Sequence, residues 1–257
     1  MLEKEQFTQF RKEQLKKYNN NVVFDIEKKW GNLLYTPLDI PVIKDELFSE
    51  WYFENAKPIV KIRPDIVSAK TGQSDYMSVN VHNPNTNPVT SEKSSKWTLN
   101  IQQEWFLKFP KMYQQILDTL PYNNIPSINM WSSIGSINAH TDHSYFIDIP
   151  MSFRIMVHDE NPNTTLYTGE CLPDVPWDNN SRFYCKFPES TNAFVWNNLR
   201  TRHGSSHNPG YRKILLIVNG SNINWKKYDE LLDRSVRKFG SEYCLTSKKN
   251  IDEFIIL

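Results

Sequence analysis

The chain has 257 residues, enough for one large β-rich domain or two small ones, with a core that needs no disulfide or structural metal. Thirty basic against twenty-nine acidic side chains give a formal net charge of +1, which excludes a global field for collecting nucleic acid or an acidic partner. Three cysteines without CxxC spacing argue against a secreted disulfide framework or a zinc ribbon; with no apolar leader and no run near the ~18 apolar residues of a span, a cytoplasmic protein is expected.

Residues 3–18 place Phe7, Phe10, Gln14 and Tyr18 at helical spacing, which predicts a first helix with one face on the body. Asp45 as N-cap ahead of Leu47, Phe48, Trp51 and Tyr52 predicts a second, short helix. Segments 59–62 and 77–81 read as strands, and the Asn-Pro run 83–88 as a loop. From Gln102 to Leu120 the pattern is that of an amphipathic helix, kinked or split by Pro110 and ended by Pro121.

After Pro126 come short β-segments separated by Asn, Pro and Gly: 128–134, 137–140, 153–158, 165–172, 182–187, 193–196 and 213–219. A helix over 225–239 follows. This order predicts a mainly β fold with flanking helices around a jelly-roll or similar double-sheet barrel. A single domain over 1–257 is expected, with 1–125 as a helical, substrate-shaping N-terminal portion, 126–220 as the β core and 221–257 as a C-terminal helix and tail.

Five of the six histidines fall between 140 and 207. In an extended segment residues i and i+2 share a side, so His140 and Asp142 of His-Thr-Asp can reach one ion together. An H-x-D pair alone is common by chance. The segment 192–218 adds an apolar strand, a polar turn, His203 followed by glycine, then Arg212 entering a second apolar strand. Two imidazoles and a carboxylate suit one face of a ferrous ion and leave the other open. His207 is an alternative distal ligand, whereas a strand would point His143 away from His140. Arginine at 212 offers a fixed, always charged fork that matches a carboxylate in two contacts. Trp131 and Trp196 are expected to fill the barrel.

On these residues the chain resembles the Fe(II)- and 2-oxoglutarate-dependent dioxygenase superfamily, over roughly 126–220. The segment Ser136-Ile-Asn-Ala-His-Thr-Asp-His and the following Phe-Arg154-Ile-Met-Val-His158 are most similar to the aspartyl/asparaginyl and prolyl hydroxylase branches. The resemblance implies a double-stranded β-helix (jelly-roll, cupin-like) core, with iron on His140, Asp142 and His203 and with Arg212 on the far carboxylate of 2-oxoglutarate. It also implies that Arg154 and His158, four apart and so expected on one side of a strand, help to hold that cosubstrate. Ile214 stands where many members place a hydroxyl, so Ser133 or Tyr145 is the expected substitute.

The implied activity consumes O2 and 2-oxoglutarate, releases succinate and CO2, and hydroxylates a free or peptidyl amino acid. No nucleic-acid or membrane partner is expected. Two other readings remain: oxidation of another small molecule or a nucleobase, and a non-catalytic cupin-like metal- or ligand-binding protein.

Overall fold

Two antiparallel sheets and four helices make up the described residues of the computed structural model, which are 20–55, 57–58, 76–80, 108–122, 127–133, 137–140, 153–160, 166–170, 178, 180, 182–198, 200–206, 213–219 and 223–247. The larger sheet has the order β12 (Leu245–Thr246), β1 (Leu33–Pro37), β9 (Ala193–Trp196), β6 (Phe153–Asp159), β11 (Lys213–Asn219), β4 (Ser127–Ser133), β3 (Tyr76–Asn80), β2 (Lys57–Pro58). The smaller has the order β5 (Ile137–His140), β10 (Thr201–Ser205), β7 (Leu166–Glu170), β8 (Phe183–Tyr184). From β4 to β11 the pairing is nested: β4 with β11, β5 with β10, β6 with β9 and β7 with β8. This stretch is therefore one long hairpin, folded over so that successive rungs fall alternately in the two sheets.

The period of two along a strand divides the central strands between two cores. Phe153, Ile155 and Val157 of β6, Ala193 and Val195 of β9, and Ile214, Leu216 and Val218 of β11 face the helix side. There they meet α1 (Asn20–Trp30), α2 (Glu46–Asn55), α3 (Pro110–Thr119) and α4 (Trp225–Tyr243). On the opposite face Met156, Phe194 and Trp196 pack with Tyr35, Leu166 and Cys185, and this second core lies between the sheets.

Helix starts follow local chemistry. The Asp45 carboxylate accepts from the Phe48 amide at 3.1 Å, satisfying one of the orphan donors of α2 as predicted. Pro110, expected as a kink or break, follows one: Lys108 is helical, Phe109 leaves the helical range at φ −123° and ψ 50°, and Pro110 occupies the first turn of α3, where its missing N–H removes no helical bond. Asn224 caps α4 by accepting from the Lys227 amide at 3.1 Å. Helix α1 was not anticipated, since its Asn-Asn-Val-Val start is weakly helical. Its end is held by tertiary contacts, with Trp30 Nε1 donating to Asp229 at 2.6 Å and Lys29 pairing with the same carboxylate at 2.9 Å.

Strands β1, β10 and β12 were likewise not anticipated. β1 lies between β9 and β12, so the N-terminal portion, the β core and the C-terminal tail all contribute to one sheet. The predicted helix over 3–18, the strand at 59–62 and the loop at 83–88 lie outside the described residues. No helix among the described residues is long and apolar enough to cross a membrane.

Phe153 is fully buried on the helix side, with the rings of Tyr122 and Tyr228 at 5.6 and 5.9 Å. In urea unfolding, Phe153→Ala is expected to cost about 3–5 kcal/mol, against about 1 kcal/mol for loss of the α4 cap in Asn224→Ala. The reverse order would contradict this account of the helix-side core.

Candidate functional site

The site begins where the chain leaves the larger sheet after β9 and enters the smaller one as β10. The polar residues of this crossing, 197–201, each have a defined task. Asn197 donates its amide to Leu34 O at 2.9 Å and its side chain to Gly31 O at 3.2 Å. Arg200 donates to Gly31 O at 3.0 Å and Asn32 Oδ1 at 2.6 Å, and approaches Glu170 at 4.0 Å. Thr201 Oγ1 returns to Asn197 O at 2.7 Å. These bonds fix the start of β10 against the α1–β1 junction, and with it the position of His203.

His203, only 4 % exposed, is the cross-strand partner of His140 on β5, and on its other side it faces the buried Thr168 of β7. The two imidazole centroids are 4.6 Å apart. A register shift lies between the His203–His140 and Ser205–Ile137 pairs, so β5 carries one extra residue beside the histidine pair. Two imidazoles on adjacent strands at this separation offer two nitrogen donors to one first-row divalent ion. Among the described residues no group of three His, Cys, Asp or Glu comes together. The third donor expected from sequence, Asp142, lies outside the described residues, as do His143, Tyr145, His207 and Arg212.

A column of stacked side chains leads away from the histidine pair. The Trp196 indole lies on the His203 ring, with centroids 4.4 Å apart and planes 24° from parallel. On the same indole sits the Arg154 guanidinium, its carbon 4.2 Å from the ring centroid. Arg154 is 2 % exposed and donates to Asn198 Oδ1 at 2.9 Å. The structure thus brings Arg154 together with His203 and His140. It does so through Trp196, which the sequence suggested only as barrel filling.

His158 does not join them. On β11 the adjacent residues Leu215 and Ile214 pair with Met156 and His158, so Val157 is an extra residue on β6. That bulge turns His158 to the helix side with Ile214, where its ring meets Phe53 edge-on at 5.3 Å and its Nε2 is 3.6 Å from Glu160. The expectation that Arg154 and His158 face one side fails for this reason: the four-residue spacing assumed an unbroken pleat.

Beyond the bulge Asp159 is the register partner of Lys213, whose other neighbour across the sheet is Ser133. Lys213 shares a face with Leu215, which packs against the inter-sheet core, and it is 5 % exposed. Burial pushes its ammonium down to about 8, against a smaller upward pull from Asp159. Sequence reasoning missed Lys213, because a lysine beside an arginine at a strand start reads as a solvated end. The available signal was its even spacing from Leu215 and Ile217.

No family model matches the chain, and no curated protein matches it by sequence. Among solved structures it is similar to a Pseudomonas putida prolyl-4-hydroxylase, with TM-score 0.37 and 9% identity over 78% of this chain and 100% of that one. It is similar also to an oxidoreductase of the 2OG-Fe(II) oxygenase family from Burkholderia pseudomallei, with TM-score 0.35 and 10% identity over 68% of this chain and 81% of that one. A third similar structure is a Trichoplax adhaerens prolyl hydroxylase in complex with a hypoxia inducible factor peptide fragment, with TM-score 0.36 and 7% identity over 86% of this chain and 96% of that one. These likenesses are too distant to carry an assignment, and the reading of the site rests on its own residues.

Lys213 gives the site a measurable signature. From about 8 up to its ordinary value of 10.5, the unfolded chain retains a proton that the folded chain has released. Stability then rises with pH across that window, whereas below it both states are protonated and the burial cost is fully felt. Lys213→Met removes the titration. The expected result is a steeper rise in unfolding free energy from about pH 8 to 10 for the parent chain than for the variant, and equal slopes would count against a buried ammonium.

Proposed function

We propose that this chain is an Fe(II)- and 2-oxoglutarate-dependent oxygenase that hydroxylates a free or peptidyl amino acid in the cytoplasm. The observation that carries this reading is the convergence of His140 and His203 on neighbouring strands of the smaller sheet. The nested pairing from β4 to β11 supports a double-stranded β-helix core within a single domain over 1–257. Asp142, two residues after His140, completes the proposed donor set. A ferrous ion held there supplies the redox chemistry that couples O2 and 2-oxoglutarate to oxidation of a substrate C–H, with release of succinate and CO2.

The chain's own residues bind and orient. In the reading from sequence, Arg212 forks onto the far carboxylate of 2-oxoglutarate, Ser133 adds a hydroxyl, and Arg154 helps to hold the same cosubstrate. One observation favours a second reading of the clamp: Lys213, the immediate neighbour of Arg212, is buried on the face of β11 that looks between the sheets. An ammonium already desolvated there has lost most competing water and gains more from a carboxylate than an exposed one does. His158, turned to the helix side, has no part in this proposal.

The test is anaerobic addition of Fe(II) and 2-oxoglutarate, watching for the weak visible charge-transfer band of the chelate, followed by a succinate assay under oxygen. Band and oxygen-dependent succinate are the expected outcome, with the band lost in His203→Ala and kept in His207→Ala. A band without succinate across a broad panel of amino acids, peptides, other small molecules and nucleobases would leave the non-catalytic metal-binding reading. Of Arg212→Ala and Lys213→Ala, the one that removes the clamp should raise the 2-oxoglutarate Kd by about 30-fold or more. If neither moves it, the carboxylate is held elsewhere.

A further inference from the structure

We infer that Trp196 is a positioning residue for the distal histidine: its indole, in contact with both the Arg154 guanidinium and the His203 imidazole, sets the plane in which His203 presents its nitrogen to the metal. This rests on the metal-site reading above and adds to it a residue outside the donor set. Three observations carry it. The first is the near-parallel stack of Trp196 on His203, 4.4 Å between centroids and 24° between planes, which restricts rotation of the imidazole about its side-chain bonds. The second is the cation over the same indole, Arg154 at 4.2 Å, itself tied to Asn198 at 2.9 Å, so that the indole has a second anchored partner. Trp196 and Asn198 end the strand and begin the crossing that leads into β10, so one short segment supplies both the stacking ring and the anchor of its cation.

The third observation is a cost. Trp196 is 3 % exposed, yet its Nε1 donor has no hydrogen-bond partner among the described residues. A buried N–H left unsatisfied is unfavourable, and a phenylalanine would fill much of the same volume without that penalty. What phenylalanine would not match is the indole's larger π-face, the best of the aromatic surfaces for packing against both a cation and a ring. An aromatic at this position that served only to fill space has no use for the extra nitrogen. A stacking platform for His203 does.

This predicts that stability and metal affinity come apart. In the full-length metal-free protein, Trp196→Phe removes the unsatisfied donor but also loses buried volume and part of the surface that covers Arg154, so its urea midpoint should fall only modestly and the chain should stay fully folded under assay conditions. Its affinity for Co(II), followed by visible absorption under anaerobic conditions, should still fall by about 3- to 10-fold, with Trp196→Leu losing about 10- to 100-fold, the range typical of residues that orient a metal ligand. His203→Ala is the control that ties the Co(II) signal to this site. Parent binding that is lost in His203→Ala but unchanged within twofold in both Trp196 variants would overturn the positioning role while leaving the metal site standing. Absence of Co(II) binding by the parent would overturn both. If Trp196→Leu does not fold, Trp196→Phe decides alone: weaker binding by a variant that stays fully folded under assay conditions supports the role, and unchanged binding reduces Trp196 to packing.

Discussion

Everything at this site depends on what the space between the two sheets is asked to contain. At one end it is filled conventionally, by Met156, Phe194, Leu166, Tyr35 and Cys185. At the other it takes in a guanidinium at 2 % exposure and an imidazole at 4 %. A buried cation is expensive unless hydrogen-bonded and covered, and Asn198 and the face of Trp196 supply those two needs for Arg154. The helix side of the larger sheet is different in kind, since α1 to α4 cover its face with an almost wholly apolar and aromatic core. The two faces divide the work: one holds the sheet rigid, and the other hosts polar groups that would be destabilising in a sheet without that support.

Rigidity reaches His203 by a second route, through the crossing after β9. Asn197 and Arg200 bond to Gly31, Asn32 and Leu34, so the turn that aims β10 is anchored to the end of α1 and the start of β1. The C-terminal segment adds to this, because Ser247 Oγ donates to Glu170 at 2.6 Å, and Glu170 in turn lies within 4.0 Å of Arg200. Elements at both ends of the chain therefore set the height of β10 relative to β5. A carbonyl-rich helix end and two asparagines do here what a longer strand would do in a more regular sheet.

The sequence made some of this visible and hid the rest for identifiable reasons. Strands 137–140, 193–196 and 213–219 were legible to the residue, because each is bounded by turn formers and rich in apolar or β-branched side chains. β10 was not, since Thr-Arg-His-Gly-Ser has no apolar alternation and owes its strand geometry to β5 and β7 on either side. β1 is a short run buried along its whole length, a pattern that periodicity cannot separate from a helix segment. The pairing of His140 with His203 was anticipated from residue type and order. The separation of His158 from Arg154 was not, because a bulge is invisible to a count of two, and Trp196 read as filler because sequence gives volume but not stacking partner.

Charge supplies the last constraint on what this interior accepts. Among the inward-facing groups described, Arg154 and Lys213 are cationic at neutral pH, the latter because its depressed value of about 8 still lies above 7. Asp159, the register partner of Lys213, offers one negative charge in return. Two imidazoles that ligate a metal do so as neutral groups and contribute none. A divalent ion held on the histidine pair, even with Asp142 as its carboxylate ligand, would add further positive charge to this interior. In a space of low effective dielectric, positive charge is costly to bury unless it is paired, so such an interior favours an anionic ligand over a neutral or cationic one. The same side chains that make the site costly to bury therefore also narrow the chemistry of what fills it.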